Sequence, residues 1–174
     1  MKYAVIYSSR TGNTKLLAET IIESMGEKEC LYFGPAKEDR DVREALEASD
    51  MIFAGFWTDK GSCDIVMAEI LKTMENNRVF LFGTAGFGGA PAYFAQILER
   101  VKGNLPDSAR IAGTYMCQGK MPAAVRERYV KMKNDGVLGV NADAMIENFD
   151  RALSHPDEKD LEELKQRMDD IKEG

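Results

Sequence analysis

The run from Lys2 to Thr14, KYAVIYSSRTGNT, constrains the fold more than any other stretch of the chain. Tyr3 to Tyr7 is short, apolar and rich in β-branched and aromatic residues, the pattern of a buried strand, and LLAETIIESM beyond Lys15 has helical periodicity. Between them, Ser8 to Thr14 are almost all hydroxyl-bearing or conformationally permissive. A strand that passes through a tight polar loop into a helix places unpaired backbone N–H groups and the positive end of the helix dipole at the loop, which makes an anion site. Ser9, Thr11, Asn13 and Thr14 can add side-chain donors, and Gly12 lets the backbone wrap closely around a ligand. The plainer reading is a Ser/Thr-rich turn that only caps the helix.

Missing motifs narrow the choice of anion. There is no G-x-x-x-x-G-K-[ST], so a nucleoside-triphosphate loop is unsupported, and no G-x-G-x-x-G follows the strand, as a dinucleotide pyrophosphate would require. A small terminal phosphate fits better.

The rest of the chain repeats the strand-to-helix alternation. Leu17, Ala18, Ile21 and Met25 form a helical stripe ended by Gly26, and Cys30 to Phe33 reads as a second strand closed by Gly34-Pro35. Val42, Ala45 and Leu46 mark a modest second helix. Met51 to Trp57 is an unbroken apolar run, expected of a central parallel strand covered on both faces. Val66 to Met74, Phe94 to Val101 and the intervening Arg78 to Phe82 predict helix, helix and strand, and Arg110 to Cys117 predicts a fifth strand. This alternation implies an α/β fold with a doubly wound, five-stranded parallel sheet in a single domain spanning residues 1–174. Ligands in such sheets sit at the carboxyl ends of the strands. Three polar loops lie there: Ser8 to Thr14, GFWTDKGS from Gly55, and GTAGFGGAP from Gly83 to Pro91. Trp57 and Phe87 in the last two can cover the faces of a planar ring.

At 174 residues with 44% hydrophobic and 30% charged residues, the chain has the composition of a soluble globular protein. A net charge of −6 argues against nucleic acid. No run reaches the length of a membrane span, and the first strand begins at Tyr3, so no signal peptide and a cytoplasmic location are expected. Cys30, Cys63 and Cys117 are widely spaced, with one histidine, so neither a disulfide scaffold nor a metal site is expected. Cys63 falls near a helix start, where a thiol can gain acidity, so a redox thiol stands beside the reading of a small buried hydrophobe.

Ser9 to Thr14, SRTGNT, resembles the [ST]-x-T-G-x-T phosphate loop of flavodoxins, and the likeness extends from Lys2 to about Cys117 and over the last helix. It implies sheet order 2-1-3-4-5 and FMN as cofactor, the phosphate on Ser9, Arg10, Thr11, Gly12, Asn13 and Thr14. The isoalloxazine would then lie among Phe56, Trp57, Thr58, Asp59, Lys60, Gly61, Thr84, Ala85, Gly86, Phe87, Gly88 and Cys117, with Gly61 as the turn glycine that reorients a carbonyl toward the reduced ring. No side chain need be catalytic. Surrounding negative charge is expected to lower the flavin's potential, with Lys60 partly offsetting it. Single-domain flavodoxin-like proteins of anaerobic bacteria, some encoded beside bilirubin reductases, also look similar.

The resemblance implies an electron carrier, monomeric or weakly dimeric, that works between a reductase and an acceptor oxidoreductase. The alternative is an FMN-dependent reductase of a quinone, a tetrapyrrole or free flavin. Gly119 to His155 departs from the family pattern as a helical excursion, with stripes at Val125, Tyr129 and Met132 and at Met145, Phe149 and Leu153, before a last helix with Pro156 in its first turn. Following the fifth strand, the excursion is expected to approach the flavin edge. Lys120, Arg126, Arg128, Lys131 and Lys133 form a basic cluster there, either a solvated face or an attractor of an acidic partner or anionic substrate.

Overall fold

A computed structural model describes residues 1–88, 90–137 and 139–173. Gly89 of the third loop and Leu138 of the excursion lie outside the described residues. Five parallel strands form the sheet: β1 (Tyr3–Tyr7), β2 (Cys30–Pro35), β3 (Met51–Asp59), β5 (Arg78–Ala85) and β6 (Arg110–Gln118). A two-residue strand, β4 (Ser62–Cys63), turns back antiparallel onto the end of β3, and the order of the others is β2-β1-β3-β5-β6. With β4 set aside, this is the expected 2-1-3-4-5 order.

The strands are near-continuous apolar runs because both faces are covered. On one face Ile6, Ile52, Phe56 and Leu81 meet α2 (Arg40–Glu47), α3 (Ile65–Leu71) and α4 (Pro91–Lys102) through Leu46, Met67, Ile70, Ile97 and Val101. On the other, Val5, Phe53, Phe80, Phe82 and Tyr115 meet α1 (Asn13–Met25) and α7 (Glu158–Glu173) through Leu17, Ile21, Leu164 and Met168. The central strands interlock: Gly55 pairs with Phe82 and Phe56 with Gly83, and a Cβ at Gly55 would come within 2.2 Å of the Phe82 ring. The aromatic rings therefore occupy the space that glycine leaves on the neighbouring strand.

Several boundaries differ from expectation: β5 runs past Phe82 to Ala85 and β2 past Phe33 to Pro35, while α3 ends at Leu71, short of Met74. β3 runs past Trp57 to Asp59 and forms a hairpin whose central residues, Lys60 and Gly61, have φ of 49° and 81°, the left-handed pair that a two-residue turn between right-twisting strands requires. The final helix starts at Glu158, two residues after Pro156, because Asp157 and Asp160 exchange capping bonds: Asp160 N donates to Asp157 Oδ1 at 3.0 Å and Asp157 N to Asp160 Oδ2 at 2.8 Å.

The excursion forms α5 (Ala123–Asn134) and α6 (Ala142–Ala152), packed together. Arg126 binds Asp150 at 2.8 Å and Lys133 binds Asp143 at 2.6 Å across the pair.

Candidate functional site

All five parallel strands end at one edge, and the loops that leave them enclose a crevice of about 430 Å³. Arg10, Thr11 and Asn13 line it from the first loop; Trp57, Thr58, Lys60 and Gly61 from the end of β3; Thr84, Ala85, Gly86 and Phe87 from the end of β5. The strand order accounts for this convergence, since β3 lies between β1 and β5 and the three loops become neighbours.

At the first loop, Gly12 holds φ 87° directly before α1 and, as its N-cap residue, brings no capping side chain. No acid lies in its first turn. Lys15 N donates to Ser9 Oγ at 3.2 Å, which folds the loop back over the helix start. Ser8 Oγ donates to the buried Asp64, whose carboxylate also accepts from Val66 N at 3.1 Å and Met67 N at 3.3 Å, so one side chain pins the first loop and caps α3. Asn13 Nδ2 donates to Thr11 Oγ1 at 2.9 Å and to the Lys120 carbonyl at 2.8 Å, tying the first loop to the excursion.

Two buried side-chain polar atoms among the described residues have no protein partner, Asn13 Oδ1 and Thr58 Oγ1, and both belong to residues of this crevice. Unsatisfied buried atoms are costly, so their presence here marks a place where a polar ligand completes the bonding. A helix start led by glycine, with no acid in its first turn, suits a phosphate; the apolar walls from Trp57, Ala85 and Phe87 suit a planar ring. The residues fit FMN.

Several expected site residues have other placements. Thr14 is fully buried and bonds to the Phe56 carbonyl at 3.2 Å and to Thr84 Oγ1 at 3.1 Å, joining the loop to the sheet. Phe56 is buried in the α3/α4 core. Cys117 is buried in the α1/α7 core, where burial and the Asp160 carboxylate push its thiol well above the ordinary range. Ser9, Gly12, Asp59 and Gly88 belong to the loops without lining the crevice. Arg10 places its guanidinium 5.4 Å from the centroid of the Trp57 ring, a cation–π contact in which Arg10 covers one face of the indole. Cys63, considered as a redox thiol, is buried, and burial pushes its thiol up, which opposes thiolate chemistry.

The excursion reaches the crevice, as expected from its place after the fifth strand, and gives it a fourth wall, although the periodicity of the sequence did not show which residues form it. Tyr93 of α4 and Met121, Pro122, Val125, Arg128 and Tyr129 of the excursion complete the lining. Val125 and Tyr129 read as an ordinary core stripe, and the structure turns that stripe toward the crevice. Third-loop geometry also depends on the excursion: the Gly86 carbonyl accepts from Gln118 Nε2 at 2.9 Å and from Asn148 Nδ2 at 3.0 Å. The expected negative surroundings differ from what lines the crevice, where Arg10, Lys60, Lys120 and Arg128 are present and no Asp or Glu is, among the described residues.

Fold, loop convergence and donor set define a flavodoxin-type domain. The flavodoxin domain matches residues 4–169, and the chain belongs to that family. It is 40% identical over 172 residues to the flavodoxin-like domain-containing protein BilS of Clostridium symbiosum, covering 92% of this chain and 90% of that one. It is 33% identical over 169 residues to the protein of the same name from Clostridioides difficile, covering 94% and 92%. Oxidised flavodoxin 2 from Bacillus cereus shares the fold, with a TM-score of 0.57 at 18% identity over 99% of each chain.

Proposed function

We propose that this protein is an FMN-binding electron-transfer flavoprotein that works between a reductase and an acceptor oxidoreductase. The observation that carries the reading is the crevice itself: a helix start led by Gly12 at one end, apolar walls from two further loops, and two orphaned buried side-chain atoms within it. Backbone N–H groups at the start of α1, with Thr11, would hold the phosphate. Trp57 and Phe87 confine the ring and exclude water, and Thr58 Oγ1 supplies a hydrogen-bonding group to its edge. When bound, the flavin accepts and releases electrons, and the chain supplies orientation and electrostatics. Gly61, already at φ 81°, stands in the turn that would face the ring.

Purified protein should release FMN on denaturation, and apoprotein should bind FMN at least about a hundredfold more tightly than riboflavin, because the phosphate contributes charge-assisted bonds at the helix start. Equal affinity for the two flavins overturns the phosphate assignment.

The wall contributed by Tyr93, Val125 and Tyr129 favours a second reading, an FMN-dependent reductase of a small substrate held between that wall and the ring. Rapid turnover with NADH or NADPH and a quinone, without any protein partner, distinguishes it from the carrier.

A further inference from the structure

We propose that the mouth of the crevice is a docking point for an acidic face of a redox protein. The inference rests on the FMN reading above and assigns the chemistry of the partner. Four exposed cations ring the crevice: Arg10 from the first loop, Lys60 from the β3–β4 turn, Lys120 from the segment after β6 and Arg128 from α5. None of the four has a carboxylate within ion-pair distance among the described residues, although the chain carries a net charge of −6. The excursion's other cations differ in place and pairing: Lys131 does not line the crevice. Arg126 and Lys133 are neutralised by Asp150 and Asp143 of α6, while Lys120 and Arg128 are left at the crevice. Asp59 and Asp64, which flank the β3–β4 turn, do not line the crevice, and Asp64 is buried against Ser8. A phosphate monoester of about −2 offsets roughly half of the ring's formal charge, so a positive mouth persists with FMN in place. Positive charge converging from four segments on one opening, set in an acidic molecule, orients an acidic partner toward the cofactor edge and turns the rest of the surface away from it.

Two electron acceptors of opposite charge test this: rubredoxin, small and acidic, and cytochrome c, basic. The FMN-loaded protein is reduced with dithionite, and the transfer of one electron to the ferric iron of each acceptor is followed by stopped flow at about 20 mM and about 200 mM salt. Docking at the mouth predicts that the rubredoxin rate falls at least about tenfold with salt, and falls as far at low salt in the Lys120→Glu/Arg128→Glu variant. Calorimetry with polyglutamate, on apoprotein and loaded protein, should show binding that the variant loses. FMN affinity of both proteins is measured first. Loss of FMN affinity in the variant assigns these cations to the cofactor and overturns the proposal, as does a rubredoxin rate insensitive to salt and to charge reversal. Failure of the native protein to bind FMN refutes the function proposed above, and polyglutamate binding then still decides the present inference.

Discussion

Gly12 carries two roles that substitution separates. Its φ of 87° is a left-handed conformation, and a Cβ added there would meet nothing within 4 Å. Gly12→Ala therefore costs backbone strain without a clash, about 1 to 2 kcal/mol. Gly12→Asp adds similar strain and also a carboxylate beside the start of α1. At an effective dielectric of about 20, two unit charges about 4 Å apart repel by roughly 4 kcal/mol, so the aspartate should weaken FMN binding at least about a hundredfold beyond the alanine. Thermal unfolding of the two apoproteins and flavin titrations of both check this. Equal losses of affinity would show that conformation alone governs the loop. The hydroxyl, amide and glycine content of Ser9 to Thr14 was legible in sequence because a phosphate loop is local: its donors are contiguous. Asp64 was not, because it acts through Ser8, 56 positions away.

Among the elements, the strands and helices of the sheet were legible wherever burial imposed a period: continuous apolar runs for β3 and β5, a 3-4-7 stripe for α4. Side-chain ties between distant elements leave no such period. Asn148 is a buried polar residue in α6, and its amide reaches the Gly86 carbonyl 62 positions earlier while accepting from Gln118 Nε2 at 3.1 Å. Through these bonds the excursion fixes the third loop, whose Gly86 also lies against Met121, with a built Cβ 2.5 Å from that side chain. Asn148→Ala leaves Gln118 with one acceptor fewer and the carbonyl with one donor fewer, at a cost of about 1 to 3 kcal/mol. The loss should be local. Hydrogen exchange at Thr84 to Gly88 is expected to accelerate with β1 and β3 unchanged, and FMN should dissociate faster. Uniform acceleration across the sheet would instead mean that Asn148 supports global folding.

At the scale of the whole molecule, proton-binding groups share one direction on the alkaline side. Cys30, Cys63 and Cys117 all have their thiols pushed up, burial being the leading cause in each. Tyr3, Tyr32 and Tyr115 are raised for the same reason. An unfolded thiol ionises near pH 8.5, whereas the folded one keeps its proton, so above that value the native state binds more protons than the unfolded chain. Stability from these groups is therefore complete below about pH 8.5 and is lost as pH rises toward the folded values, with the tyrosines adding to the loss above about pH 10. On the acid side, Asp39, Asp150 and Asp157 are lowered by partners at exposed or partly exposed sites, where solvent screens the interaction. Denaturant midpoints should accordingly fall more steeply between about pH 8 and about pH 10 than between about pH 7 and about pH 5. Cys117→Ala tests the cause, because that thiol is buried in the α1/α7 core beside Tyr115 and next to Asp160. Removing it should lower stability at neutral pH through the small cavity left, yet flatten the alkaline limb. A limb of unchanged slope in that variant would assign the alkaline loss to the tyrosines and the remaining thiols.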